Sequence, residues 1–235
     1  MDSQQTESKA RLHFKTARFM FESGLKLRIR SATLATACHI YHKFFAECET
    51  MYYDPYLIGA TSLYLAGRVE EDHLKLRDVV NVCFRTLHPD QPPLEIGERY
   101  WNLRESVTQC ELFIMRVLKF HLVFKHPHKY LLHYLKSIYN WLEPTTTEKI
   151  PIAKTAWSIL RDSYHGSVCL RYKPEHIAIA VLYQTLQSYG IEVPHDHDAD
   201  LRWWEVFSDE INISIIKDII SDITDIYSLE STVNS

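Results

Sequence analysis

Thirteen histidines and five cysteines are the side chains here best equipped for metal or nucleophile chemistry. His39 and His42 are spaced one helical turn apart, and His195-Asp196-His197-Asp198 is a compact run of possible ligands. Zinc sites are built from Cys pairs, or from a helical H-E-x-x-H that sets two imidazoles and a general base on one face. Neither pattern occurs, and Cys38, Cys48, Cys83, Cys110 and Cys169 are odd in number and widely spaced. The His-Asp run follows Pro194 in a polar stretch, where a solvated loop is the expectation. Acyl transfer from a nucleophile elbow needs the sharp G-x-S-x-G turn, which is absent. Phosphate chemistry needs clustered glycines whose amides cradle the anion, yet the six glycines never approach closer than the eight residues from Gly59 to Gly67. No phosphate loop can be written with that distribution. Catalysis has no positive support, and neither a metal nor a cofactor is expected.

Two other polar groups stand out by position. Glu111 falls within a long helical pattern, and Arg68 precedes Val69-Glu70-Glu71 at the end of an apolar run. Taken alone, Glu111 reads as a solvated helix charge. Acidic residues at a helix C-terminus oppose the macrodipole, so Glu70 and Glu71 call for a reason.

The elements that position these residues are helices. Leu103, Val107, Cys110, Ile114 and Val117 step by four, three, four and three along one face of a helix from about Glu98 to Leu118. Ile216, Ile219, Ile223 and Ile226 repeat that pattern near the C-terminus. Asp54-Pro55 reads as a side-chain cap followed by proline at the first helical position, where no amide is needed. The segment from Tyr56 to Val69 is apolar nearly all round, which places it at the centre of a bundle. Loops are expected at Pro89 with Pro92-Pro93, at Pro144 to Glu148, and at Pro194 to Asp200. Trp203-Trp204 is read as an anchor of a second core.

The chain also repeats itself. A shift of 119 residues places Thr36-Ala37 and Ile40 on Thr155-Ala156 and Ile159, and Leu12 on Leu131. The same shift places Pro55, Ile58, Leu63 and Tyr64 on Pro174, Ile177, Leu182 and Tyr183. One constant offset across three helices predicts an all-α fold of two bundles, each of about five helices around a buried central one. The first bundle is expected over 12–122 and the second over 127–228, with polar tails at 1–11 and 229–235. The junction is expected near His126-Pro127, since proline excludes helix continuity.

Charge follows the same division. Residues 1–125 carry 17 basic and 15 acidic side chains, and residues 126–235 carry 9 and 15. Neither half has the strongly basic face of a nucleic-acid binder. Unpaired cysteines fit a reducing compartment. Met1 to Lys9 lacks the apolar core of a signal peptide, and the stretch from Leu57 to Gly67 is too short to span a bilayer. An intracellular chain is expected, in the nucleus, the cytoplasm or both.

With these landmarks the sequence resembles the cyclin family. Leu65-Ala66-Gly67-Arg68-Val69-Glu70-Glu71 is similar to the family's L-A-x-K-x-E-E at the end of the third cyclin-box helix. Cys110 to Phe120 resembles the fifth helix, with its glutamate, its late leucine and the aromatic that follows. Ala35-Thr36-Ala37 through Phe45 resembles the second helix, and His126-Pro127-His128-Lys129-Tyr130 the opening of the second box in transcription-type cyclins. The resemblance implies tandem cyclin boxes and a non-catalytic subunit that activates a cyclin-dependent Ser/Thr kinase as a heterodimer, cyclin-dependent kinase 10 by the same likeness. It implies no cofactor, nucleic acid, membrane or small-molecule substrate.

By position, the resemblance makes Arg68 and Glu111 the polar pair that meets the kinase backbone near its αC helix. Val69, Phe120 and Leu122 supply the apolar contact beside them. Arg68 stands where the family usually has lysine, which exchanges a point charge for a planar fork. Lys15 to Phe21 replaces the substrate-docking patch of cell-cycle cyclins, so docking of that kind is not carried over. Two alternatives stay open: a two-bundle scaffold that binds a kinase or transcription complex without activating it, and a DNA-engaging general transcription factor of the same architecture.

Overall fold

The Asp54 carboxylate accepts a hydrogen bond from the Tyr56 amide at 3.0 Å, and Pro55 takes the first helical position. This start launches α3, Pro55–Val69, in which Ile58 to Leu63 and Leu65 to Gly67 are all buried. A helix enclosed on every side must be the hub of its bundle. In the computed structural model, which describes residues 2–194 and 201–233 and the side chains of 7–144, 148–194 and 201–231, that is its place. Helices α1 (Asp2–Leu27), α2 (Ser31–Glu47), α4 (Leu76–Leu87) and α5 (Glu98–Val117) all pack against α3.

Close approach to the hub depends on its glycines. A Cβ at Gly59 would sit 3.2 Å from both Met20 and Thr16 of α1, so the helices meet where no side chain intervenes. At Gly67 a Cβ would lie 2.7 Å from Leu74 and 3.1 Å from the Asp72 carbonyl, inside the turn that leaves α3. Overpacking of this kind costs about 1–3 kcal/mol. Gly67→Val is therefore expected to lower the melting temperature by several degrees, read by circular dichroism.

The chain divides into two units, the first running through Phe124 and the second from Lys125 to Ser231. The second unit is built around α10, Pro174–Ser188, buried continuously from His176 to Leu182. Against α10 pack α6 (Pro127–Trp141), α8 (Ile152–Asp162) and the short α9 (Val168–Arg171). The unit ends with α11, Ile213–Val233, whose Ile216, Ile219, Ile223 and Ile226 are buried. The sequence repeat is thus a repeat of structure: α1, α2 and α3 of the first unit correspond to α6, α8 and α10. Among the described residues there is no strand, and no helix is long and apolar enough to cross a membrane.

Three segments depart from expectation. Helix α1 begins at Asp2 rather than after a polar tail, with an Arg11–Glu7 pair at 2.6 Å supporting its first turns one helical turn apart. Pro144 opens a short helix, α7 (Pro144–Lys149), where a loop was expected, because proline at a first helical position forfeits nothing. Shifting α4 by the repeat lands on 195–206, yet 203–207 is a run of turns. Trp203 and Trp204 lie in that run, half-buried rather than enclosed, with Trp204 5.4 Å from Tyr183 of α10.

Candidate functional site

Helix α3 ends in a left-handed turn. Glu71 has a φ of 54°, and the Asp72 amide donates back to the Gly67 carbonyl at 2.8 Å. That reversal carries two acidic side chains onto α2. Glu70 accepts from the Thr36 hydroxyl at 2.7 Å, and its carbonyl accepts from the Arg30 guanidinium. Asp72 accepts from the Arg30 amide at 3.0 Å and from the Thr33 hydroxyl at 2.9 Å. These bonds, the Arg30 amide first, hold the Asp72 carboxyl below its usual range despite some burial. Of the two acids that looked misplaced at a helix C-terminus, Glu70 is thus a fastener for α2, joined by Asp72 at the N-terminus of that helix, where negative charge is favourable. Asp72→Asn is expected to cost about 1 kcal/mol, comparable to loss of a helix cap, seen as a lower midpoint in urea unfolding.

With Glu70 and Asp72 turned toward α2, Arg68 projects from the last turn of α3 toward α5. Its Nη1 donates to Glu111 Oε1 at 2.6 Å. The partners are unequal: the Glu111 side chain is 7% exposed and that of Arg68 is 61% exposed. A buried carboxylate is neutralised by a guanidinium that still presents N–H donors outward, and a fork of this kind suits a backbone carbonyl or carboxylate.

The end of α5 is stranger. The Lys119 amide donates to the Arg116 carbonyl at 3.0 Å and the Phe120 amide to Met115 at 2.8 Å, the paired bonds of a helix stop normally made by glycine. Here Lys119 has a φ of 51° and Phe120 a φ of 60°. Each such residue costs about 1–2 kcal/mol, and strain of this order persists where something else is gained. What it achieves is placement: the Phe120 ring is 64% exposed.

Beyond Phe120 the chain has no regular secondary structure until α6. Val123 is 92% exposed, while Leu122 and Phe124 are half-buried. The Phe124 ring stacks on His39 with centroids 4.0 Å apart, and the Lys43 ammonium lies 5.1 Å from the same ring. Both partners belong to α2, so Phe124 pins the exit of α5 to it. Val69, the remaining predicted contact, is half-buried beside Arg68.

The structure therefore joins Arg68 to Glu111, and leaves Phe120 outward on a strained turn at the end of the helix that carries Glu111. His39 and His42 part company, His39 stacking on Phe124 and His42 lying against Tyr41 at 5.3 Å. His195 to Asp198 falls outside the described residues. Among those described, no group of three or more His, Cys, Asp or Glu side chains could hold a metal ion. Sequence reasoning missed Asp72, Lys119 and Phe124. Phe124 offered a signal in the alternation of Phe120, Leu122 and Phe124 after α5; Asp72 and Lys119 offered none.

A family model described as "Cyclin, N-terminal domain" matches residues 1–123. Cyclin-K of Danio rerio is 30% identical over 223 residues, covering 94% of this chain and 51% of that protein. Cyclin-K of Homo sapiens is likewise 30% identical over 223 residues, covering 94% of this chain and 37% of its own length. Cyclin pch1 of Schizosaccharomyces pombe is 27% identical over 215 residues, 91% of this chain and 60% of that protein. The chain spans about half the length of these relatives or somewhat less or more. Among solved structures it is similar to a chain of the yeast RNA Pol II CTD kinase CTDK-1 complex, at a TM-score of 0.72 and 18% identity, covering 97% of this chain and 67% of that one. It is also similar to a chain of the CAK complex of Chaetomium thermophilum, at a TM-score of 0.62 and 17% identity, covering 94% and 62%. At such identities these likenesses speak to the fold.

Proposed function

The chain belongs to the cyclin family, whose members are non-catalytic regulatory subunits, and on that premise we propose that it binds and activates a cyclin-dependent Ser/Thr kinase. The observation that carries this reading is the Arg68–Glu111 pair, open to solvent on the Arg68 side, with Glu111 on the helix whose strained stop presents Phe120. Arg68 and Glu111 meet the kinase backbone near its αC helix, and Phe120, Leu122 and Val69 cover the apolar side of that helix. The physical content is a population shift: the partner binds the αC-in state better than the αC-out state, and that difference is the activation. Moving a kinase from ~1% to ~99% active takes roughly 5.5 kcal/mol of differential affinity.

In finer detail, the first cyclin box spans 12–122 and the second 127–228. The chain is of the cyclin Q type, its kinase is cyclin-dependent kinase 10, and it works in the nucleus. The motifs at Leu65–Glu71 and Cys110–Phe120 support the kinase class. Likeness to transcription-type cyclins supports the compartment.

The test is co-expression with tagged cyclin-dependent kinase 10, followed by affinity purification and a Ser/Thr phosphorylation assay with and without the chain. Stoichiometric co-purification with a rate gain on the order of 100-fold is the expected result. Binding without a rate gain would make the chain a scaffold. No binding to any cyclin-dependent kinase would end the proposal.

A further inference from the structure

Helix α6 carries a charge pattern that the proposed kinase contact does not use. From Leu112 to Leu142 the sequence has no Asp or Glu, and Glu143 follows only after the helix has ended. Within α6 the buried positions are Pro127, Leu131, Tyr134, Leu135 and Ile138, and the helix packs against α10 and α8. The complementary positions, Lys129, Leu132, His133, Lys136 and Asn140, are exposed, and their steps of three, one, three and four keep them on one face. Lys125, exposed just before the helix, adds a third lysine. Leu132 stands in the middle of this stripe, 56% exposed.

Such a stripe is unfavourable as it stands. On surface helices an acid one turn from a lysine stabilises by about 0.2–0.5 kcal/mol, and α6 offers no acid at any spacing. Among the described residues Lys125, Lys129 and Lys136 enter no ion pair with any other element either. Lys129 lies in the first turn, at the positive end of the helix dipole, where anions and not cations are favoured. Its ammonium rests 5.0 Å from the Tyr130 ring, which does not cancel the charge. Residues 126–235 hold 15 acidic side chains against 9 basic, yet none of that acid is spent on this helix. A face that breaks the pairing rule with no compensation inside the fold calls for a partner that supplies it.

We infer that the outer face of α6 docks an acidic peptide segment that carries a large apolar residue between its carboxylates. Lys129 and Lys136 are seven residues apart, roughly 10 Å along the helix axis, with Leu132 between them. A peptide with carboxylates on either side of an apolar side chain meets all three groups at once. A nucleic acid meets only the lysines, since its phosphates gain nothing from Leu132. The net negative charge of this half of the chain also opposes a long polyanion more than a short peptide. Every residue of the stripe belongs to the second unit, whereas the proposed kinase contact belongs to the first, so the two readings stand or fall separately.

The test uses the full chain without a kinase. The probe is a fluorescein-labelled peptide in which paired glutamates flank a central leucine, titrated by fluorescence anisotropy. Saturable binding is expected, weakening as salt rises from ~50 to ~200 mM. Lys129→Glu combined with Lys136→Glu should weaken it at least about tenfold, and so should Leu132→Ser alone. All three side chains are exposed, so the fold should survive, which circular dichroism verifies. Lys217→Glu, an exposed lysine on α11, should leave binding unchanged. A probe with lysines in place of the glutamates should bind the parent at least about tenfold more weakly and regain affinity for the doubly reversed variant. No saturation at millimolar probe, or equal loss in the Lys217 variant, overturns the inference. So does equal binding of a probe with serine for its leucine, or tighter binding of a single-stranded RNA. Self-association of the chain that the α6 variants abolish would give the face to a second copy and overturn it as well.

Discussion

Phe120→Gly is expected to make the chain more stable and a worse kinase activator at once. Phe120 and Lys119 both occupy left-handed backbone at the stop of α5. Glycine adopts that conformation without the steric penalty of about 1–2 kcal/mol, offset in part by its greater freedom in the unfolded chain. The net gain should be about 1 kcal/mol, or roughly 2–4 °C for a chain of this size. The exposed ring contributes little to the fold it stands on, so nothing of comparable size is lost. At the interface an aromatic anchor is worth about 2 kcal/mol or more, which is about a thirtyfold loss of affinity. Phe120→Ala keeps the strain and should leave the melting temperature nearly unchanged while losing the same affinity. Opposite signs from one residue separate binding from folding. Glu111→Ala cannot do so, because it strips a buried carboxylate from Arg68 and weakens both. Calorimetric melting beside a kinase-capture titration measures the pair. A glycine variant that bound the kinase normally would remove Phe120 from the interface.

How much of this was readable beforehand follows from the range of the forces involved. The two hubs were legible because an all-round apolar helix with a proline start has only one place to go, and the 119-residue shift tied α1, α2 and α3 to α6, α8 and α10. Arg68 and Glu111 lie 43 residues apart, and only the family resemblance paired them before the geometry did. Asp72 was opaque because its partners, Arg30 and Thr33, belong to another helix, and a cap supplied from 39 or more residues away leaves no local pattern. The stop of α5 was opaque for the opposite reason: its chemistry is local, but the residues expected in left-handed backbone, glycine or asparagine, are not the ones there. The run of turns at 203–207 broke the repeat where tryptophans had suggested a core.

Acid is the second large effect. His13 on α1 is held near pKa 4, chiefly by burial and then by the nearby His42 and Lys9. Its Nδ1 lies 2.9 Å from the Tyr41 hydroxyl and its Nε2 3.5 Å from the Thr50 hydroxyl, partners that leave no room for a hydration shell around a cation. His128 on α6 is also held near 4, by burial and then by His126, with its ring against Tyr164 and Trp157. Burial pushes His165 and His176 down as well. In the unfolded chain these imidazoles titrate near 6.5. Below that pH the unfolded state takes up protons that the folded state refuses, so stability is complete above about 6.5 and is lost as pH falls toward 4. At pH 5 a group shifted from 6.5 to about 4 accounts for a loss of about 2 kcal/mol, and each unit contains one. The melting temperature should therefore drop steeply between pH 6.5 and 5, well above the range where carboxylates protonate. His128→Phe isolates one contribution. The His128 Nδ1 is buried without a hydrogen-bond partner among the described residues, so phenylalanine removes a polar atom that nothing satisfies. At pH 7.5 the variant should match or slightly exceed the parent, and at pH 5 it should recover about 2 kcal/mol of the second unit's stability. Chemical denaturation followed at both pH values decides it: parallel loss in parent and variant would mean that His128 is already charged in the fold.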